Sequence, residues 1–113
     1  MAFTSNFTPD VLAPTRSEVD STPGALVLEF GTEWCGFCRG AQALIKQTLA
    51  DFPQVNHVKI EDGPGRQLGR SFKVKLWPTL VLLKDGVVHK QLVRPTKPSE
   101  LADALREISA PQN

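Results

Sequence analysis

The chain has 113 residues, 41% of them hydrophobic, and a formal charge of +1. That length and apolar share suit one domain over residues 1–113 around one core, and the near-neutral balance gives no reason to expect nucleic acid or an anionic membrane as partner. No stretch approaches the ~20 apolar residues of a membrane span. The opening Met1-Ala2-Phe3-Thr4-Ser5-Asn6-Phe7 has neither the basic region nor the apolar core of a secretory signal, so a cytoplasmic location is expected.

Taken in chain order, residues 1–24 are broken by Pro9, Pro14, Pro23 and Gly24 into an irregular segment. A short helix fits Thr15–Asp20, where Thr15 can cap and Glu18 stands three residues on. Ala25–Phe30 is a nearly continuous apolar run, the pattern of a strand buried on both faces. From Cys35, Ala41, Leu44, Ile45, Thr48 and Leu49 recur at three- and four-residue steps, which predicts a helix ending near Phe52-Pro53. Val55–Ile60 reads as a second strand, Asp62–Gly65 as a turn and Gln67–Phe72 as a short helix. Thr79–Lys84 and Val87–Val93 are strands joined at Asp85-Gly86, a tight hairpin turn. Pro98-Ser99-Glu100 opens a last helix with Leu101, Leu105 and Ile108 on one face and Pro111 beyond its end. The order βαβα followed by ββα predicts an α/β fold, with a parallel pair joined by a right-handed crossover and an added antiparallel hairpin.

Both cysteines lie in Glu33-Trp34-Cys35-Gly36-Phe37-Cys38. If a helix starts at the first, Cys35 meets unpaired backbone N–H groups and the helix dipole, which favour the thiolate that attacks disulfides. Cys38, a turn further in, is placed to resolve the mixed disulfide that results. Two other readings of the pair are weaker. Zinc needs four ligands, and His57 and His89 stand far apart, so no metal is expected. A purely structural disulfide would close too short a loop to remove much chain entropy.

The motif Trp34-Cys35-Gly36-Phe37-Cys38, followed by Trp77-Pro78-Thr79 before a strand and then Lys84-Asp85-Gly86, resembles the thioredoxin family over about residues 25–109. The resemblance implies the thioredoxin fold, a central mixed sheet flanked by helices. It implies a thiol–disulfide oxidoreductase that reduces protein disulfides through Cys35 and Cys38. Disulfide-bearing proteins would be the substrates, and a thioredoxin reductase or another thiol the electron donor. No cofactor is expected, and the chain is expected to act as a monomer. Glu29, six residues before Cys35, falls where the family has a buried aspartate that moves the second thiol's proton. Lys59 matches the lysine beside that acid. The alternative is a solvent-facing Glu29 at the strand's end. Trp77–Pro78 matches the family's cis-proline site, with the backbone of Trp77 offered to an extended substrate segment. Trp34, Gly36, Phe37, Trp77, Pro78, Thr79 and Arg94 are thus candidate substrate-binding residues, although Trp34 can equally serve as packing.

The chain departs from the family pattern at several places. Phe37 stands where reductases carry proline, Gly31 replaces a bulky aromatic, Ala43 replaces a helix-kinking proline, and Val93-Arg94-Pro95 replaces a stretch with glycine. These substitutions leave two further readings open: a disulfide oxidase or isomerase, and a partner-binding module whose thiols are idle.

Overall fold

The computed structural model describes residues 6–9 and 12–109. The expectations for residues 1–5 and for Pro111 fall outside them. The elements are α1 (Arg16–Asp20), β1 (Ala25–Gly31), α2 (Gly36–Leu49), β2 (Asn56–Glu61), α3 (Gln67–Ser71), β3 (Thr79–Lys84), β4 (Val87–Val93) and α4 (Pro98–Ser109). The sheet order is β2-β1-β3-β4. β1 and β2 run parallel, whereas β1–β3 and β3–β4 are antiparallel. This is the mixed sheet expected from the element order.

The strands follow their composition. β1 and β3 occupy the centre and are buried on nearly every residue. Apart from Glu29 in β1 and Thr79 and Lys84 at the two ends of β3 they are apolar, because helices cover both faces of the sheet. Val27, Leu80 and Leu82 face α2 and α4, where Ile45, Leu49, Leu101, Leu105 and Ile108 complete one core. Leu26, Leu28, Phe30, Val81 and Leu83 face the other way, onto Val19, Leu68 and Phe72. β4 is an edge strand, exposed at every residue except Leu92. Its pairing steps from Leu82↔Lys90 to Leu83↔Val88, so His89 is an extra residue at a bulge.

Local chemistry fixes the ends. Thr15 and Glu18 form a reciprocal capping box at α1. Asp85 and Gly86 both have positive φ, 50° and 80°, as a two-residue hairpin turn of this kind requires. A Cβ on Gly86 would run into the Asp20 carbonyl oxygen, so a side chain is excluded there on two counts. α2 stops at Leu49, one turn before Pro53.

One connection had no signature in the sequence. Thr8 bridges Ile60 in parallel, its N–H donating to the Lys59 carbonyl at 2.6 Å and its carbonyl accepting from the Glu61 N–H at 3.0 Å. This lays the chain at Thr8 along the outer edge of β2 and brings the Phe7 ring over Gly31, 3.3 Å from where a Cβ would stand. The missing aromatic at Gly31 is thus answered by a ring from elsewhere in the chain.

Candidate active site

Cys35 is the N-cap residue of α2, with extended backbone (φ −75°, ψ 120°), and its sulfur accepts a hydrogen bond from the Cys38 N–H at 3.3 Å. That bond strengthens as the sulfur gains negative charge, as does the attraction of the helix N-terminus. Both thiols are free. Cys35 is 8% exposed and Cys38 1%. The order is as expected, but even Cys35 is largely covered.

Burial, and then the hydrogen bond with Cys35, push the Cys38 thiol up to about 12; the charges of Cys35 and Glu29 act the same way, against a backbone hydrogen bond with Thr32. A thiol raised that far stays protonated at neutral pH. Cys38 therefore needs a base at the moment it attacks. When Cys35 is tied up in a mixed disulfide its two contributions fall away, but burial and Glu29 remain.

Glu29 is fully buried in the middle of β1. The structure excludes the solvent-facing alternative. Its Oε1 lies 2.9 Å from His57 Nε2, and its Oε2 accepts from Gln42 Nε2 at 2.8 Å. The same Gln42 nitrogen donates to the Cys38 carbonyl at 2.8 Å, and Gln42 Oε1 accepts from Lys59 Nζ at 2.8 Å. Lys59 also lies over the Phe7 ring, 4.3 Å from its centroid. Lys59 is thus brought to the acid's neighbourhood through Gln42. A cleft of about 370 Å³, with Cys38, Gln42, Lys59 and Phe7 in its walls, opens this cluster from behind.

Gly31 forms the floor beneath the second thiol. A Cβ there would stand 2.5 Å from Cys38 Sγ, so the glycine is what lets the sulfur sit against β1.

On the outer side, Trp77–Pro78 is cis, as expected. Trp77 packs edge-on against Trp34, with centroids 5.7 Å apart, and its Nε1 donates to Asp62 Oδ2 at 2.8 Å. Trp34 and Phe37 are 72% and 61% exposed, an unusual amount of aromatic surface beside a thiol pair. Thr79 is turned inward instead: it is 1% exposed, and its hydroxyl donates to the Leu76 carbonyl at 2.6 Å. Arg94, at φ 49°, lays its guanidinium over Phe37 at 3.9 Å and donates from Nε to the Trp77 carbonyl at 2.8 Å. An apolar groove of about 720 Å³ runs from Gly36 and Phe37 past Leu44 to Arg94 and Pro95.

His57, Gln42, Asp62 and Phe7 were not singled out as site residues from the sequence. Two had a readable signal. His57 stands two residues before Lys59 on one strand and so shares its face, and Gln42 lies one helical turn after Cys38.

The thioredoxin family model matches residues 11–107. The fold superposes on the reduced form of thioredoxin 2 from Pseudomonas aeruginosa PAO1 with a TM-score of 0.82 and 46% identity, covering 95% of this chain and 97% of that one. The chain is 26% identical over 90 residues to thioredoxin Asp f 28 of Aspergillus fumigatus, covering 80% of this chain and 83% of that protein. It is 33% identical over 63 residues to a thioredoxin of Chlamydia pneumoniae, covering 56% and 62%.

Proposed function

Since this chain belongs to the thioredoxin family, whose chemistry is thiol–disulfide exchange, we propose that it works in the reducing direction on disulfides of other proteins. The observation that carries the reading is the asymmetry of the two thiols. Cys35 caps α2 with an N–H aimed at its sulfur, and Cys38 lies buried behind it against Gly31, within the electrostatic reach of Glu29.

The steps follow from that asymmetry. The Cys35 thiolate attacks one sulfur of a substrate disulfide, forming a mixed disulfide and releasing the other sulfur as a thiolate. Cys38 gives its proton to the Glu29 carboxylate and attacks Cys35. The Cys35–substrate bond breaks, the second substrate sulfur leaves as a thiolate that takes up a proton from Glu29 or water, as the first does from water, and Cys35–Cys38 is left oxidised. A dithiol donor such as a thioredoxin reductase returns the pair to its starting state. Trp34, Gly36, Phe37 and Trp77 form the surface on which the substrate chain lies, with the buried Pro78 shaping the loop beneath it, and Arg94 attracts acidic segments to it. Lys59 acts through Gln42 on the orientation of Glu29.

The test is reduction of insulin disulfides by dithiothreitol with the chain at catalytic concentration. Turnover above the uncatalysed rate is expected. No turnover with both thiols reduced would leave a partner-binding module. A Cys35–Cys38 potential near about −270 mV supports the reducing direction, and one near about −120 mV would make the protein an oxidant.

A further inference from the structure

We propose that His57 is a positioning residue for the resolving step, holding the Glu29 carboxylate through Nε2 so that it takes the proton released by Cys38. The proposal rests on the thiol–disulfide reading above.

The geometry is specific. His57 and Glu29 are 2.9 Å apart, with both side chains wholly removed from solvent. Burying a carboxyl and an imidazole together is costly unless their polar atoms meet, and the sheet makes them meet. β1 and β2 pair in parallel with Val27 opposite His57 and Glu29 opposite Lys59. His57 and Lys59 therefore share the face on which Glu29 points at α2. Gln42 grips one carboxylate oxygen and His57 the other. With both held, the carboxylate cannot turn, and its charge sits where the Cys38 thiol experiences it.

The proton balance is simple. Cys38–SH loses its proton to Glu29, whose hydrogen bond to His57 spreads the change over two groups in place of one. The Cys38 thiolate forms the Cys35–Cys38 bond while the Cys35–substrate bond breaks and the substrate sulfur leaves with the electron pair. Among the described residues, the charged and titratable groups around the pair are Cys38 from α2, with Cys35 at its N-cap, and Lys59 from β2, with Glu33 and Arg39 at the rim of the rear cleft. α4 offers only Leu101, Ala104, Leu105 and Ile108 from its buried face, and β3 only Leu80 opposite Glu29.

Ellman's reagent reads the two steps separately in the full-length reduced chain. The first thionitrobenzoate released reports attack by Cys35, and the second reports resolution by Cys38. In His57→Leu the first phase should stay within twofold of the parent while the second slows at least tenfold at pH 7. Its second-phase rate should then climb close to tenfold per pH unit from pH 6 to 9, because a Glu29 carboxylate no longer held at Oε1 turns from the thiol and leaves hydroxide to take the proton. The parent should show a flatter profile. His57→Gln keeps an N–H for Oε1 and should recover the parent's second phase to within about threefold. Should His57→Leu fail to fold, His57→Asn, whose amide is too short to reach Glu29, takes its place with the same expected slowing. An unchanged second phase, equal slowing of both phases, or failure of His57→Gln to recover would overturn the proposal. If the parent itself releases no thionitrobenzoate, the thiol–disulfide reading fails instead.

Discussion

Replacing Glu29 by leucine tests the buried cluster energetically. Removal of a poorly solvated carboxyl from an apolar strand would by itself stabilise the protein. The partners reverse that sign. Glu29→Leu strands His57 Nε2 and one bond of Gln42 inside the protein. Each buried donor left without its acceptor costs about 1–3 kcal/mol. A loss near 3 kcal/mol is expected. His57→Leu leaves the carboxylate short of a donor and should cost about the same. The double variant replaces both polar groups by apolar ones of similar size, and such exchanges are close to neutral. Urea unfolding of the reduced parent, both single variants and the double variant closes the cycle, with an expected coupling of at least about 2 kcal/mol. Single losses that add to within about 0.5 kcal/mol would refute the pairing. The double variant should still resolve mixed disulfides slowly, since restored packing does not restore the base.

Gly31→Ala should push Cys38 Sγ off β1, costing about 1–3 kcal/mol and slowing resolution. A parent-like Tm together with a parent-like second Ellman phase would show that the sulfur moves freely. Arg94→Glu should raise KM severalfold for acidic disulfide peptides at low salt, with the effect shrinking as salt is added. A salt-independent change would assign Arg94's role to its stacking on Phe37. Above pH ~8.5 the reduced protein should lose stability. The folded state keeps the Cys38 proton up to about 12 while the unfolded chain releases it, so unfolding sheds a proton and rising pH favours it. The slope is at most about 1.4 kcal/mol per pH unit. Urea titrations at pH 7 and 10 should show about 2 kcal/mol less alkaline loss in Cys38→Ala than in the parent. Equal losses would contradict the burial argument.

The elements whose signals are local were legible in the sequence. The capping box at Thr15, the apolar runs of β1 and β3, the Asp85-Gly86 turn and the amphipathic faces of α2 and α4 each follow from a few neighbouring residues. Cys35 and Cys38 were legible for the same reason, because two intervening residues and a helix start bring them together. What escaped depends on register between distant segments. His57 looked isolated because its nearest functional partner is 28 residues away, and only the parallel pairing of β1 and β2 sets Glu29 beside it. Phe7 reaches Gly31 only through the Thr8–Ile60 bridge. Asp62 read as a turn residue, yet it also anchors the Trp77 indole. The bulge at His89 has no Gly to announce it.

The most direct measurement is mass spectrometry of Cys38→Ser and Cys35→Ser after mixing each, reduced, with a disulfide substrate. Cys38→Ser should accumulate a covalent adduct on Cys35, because no thiol remains to displace the substrate. Cys35→Ser should accumulate none, since Cys38 is buried and its proton held. An adduct on Cys38 in Cys35→Ser, or none in either variant, would contradict the division of labour between the two thiols.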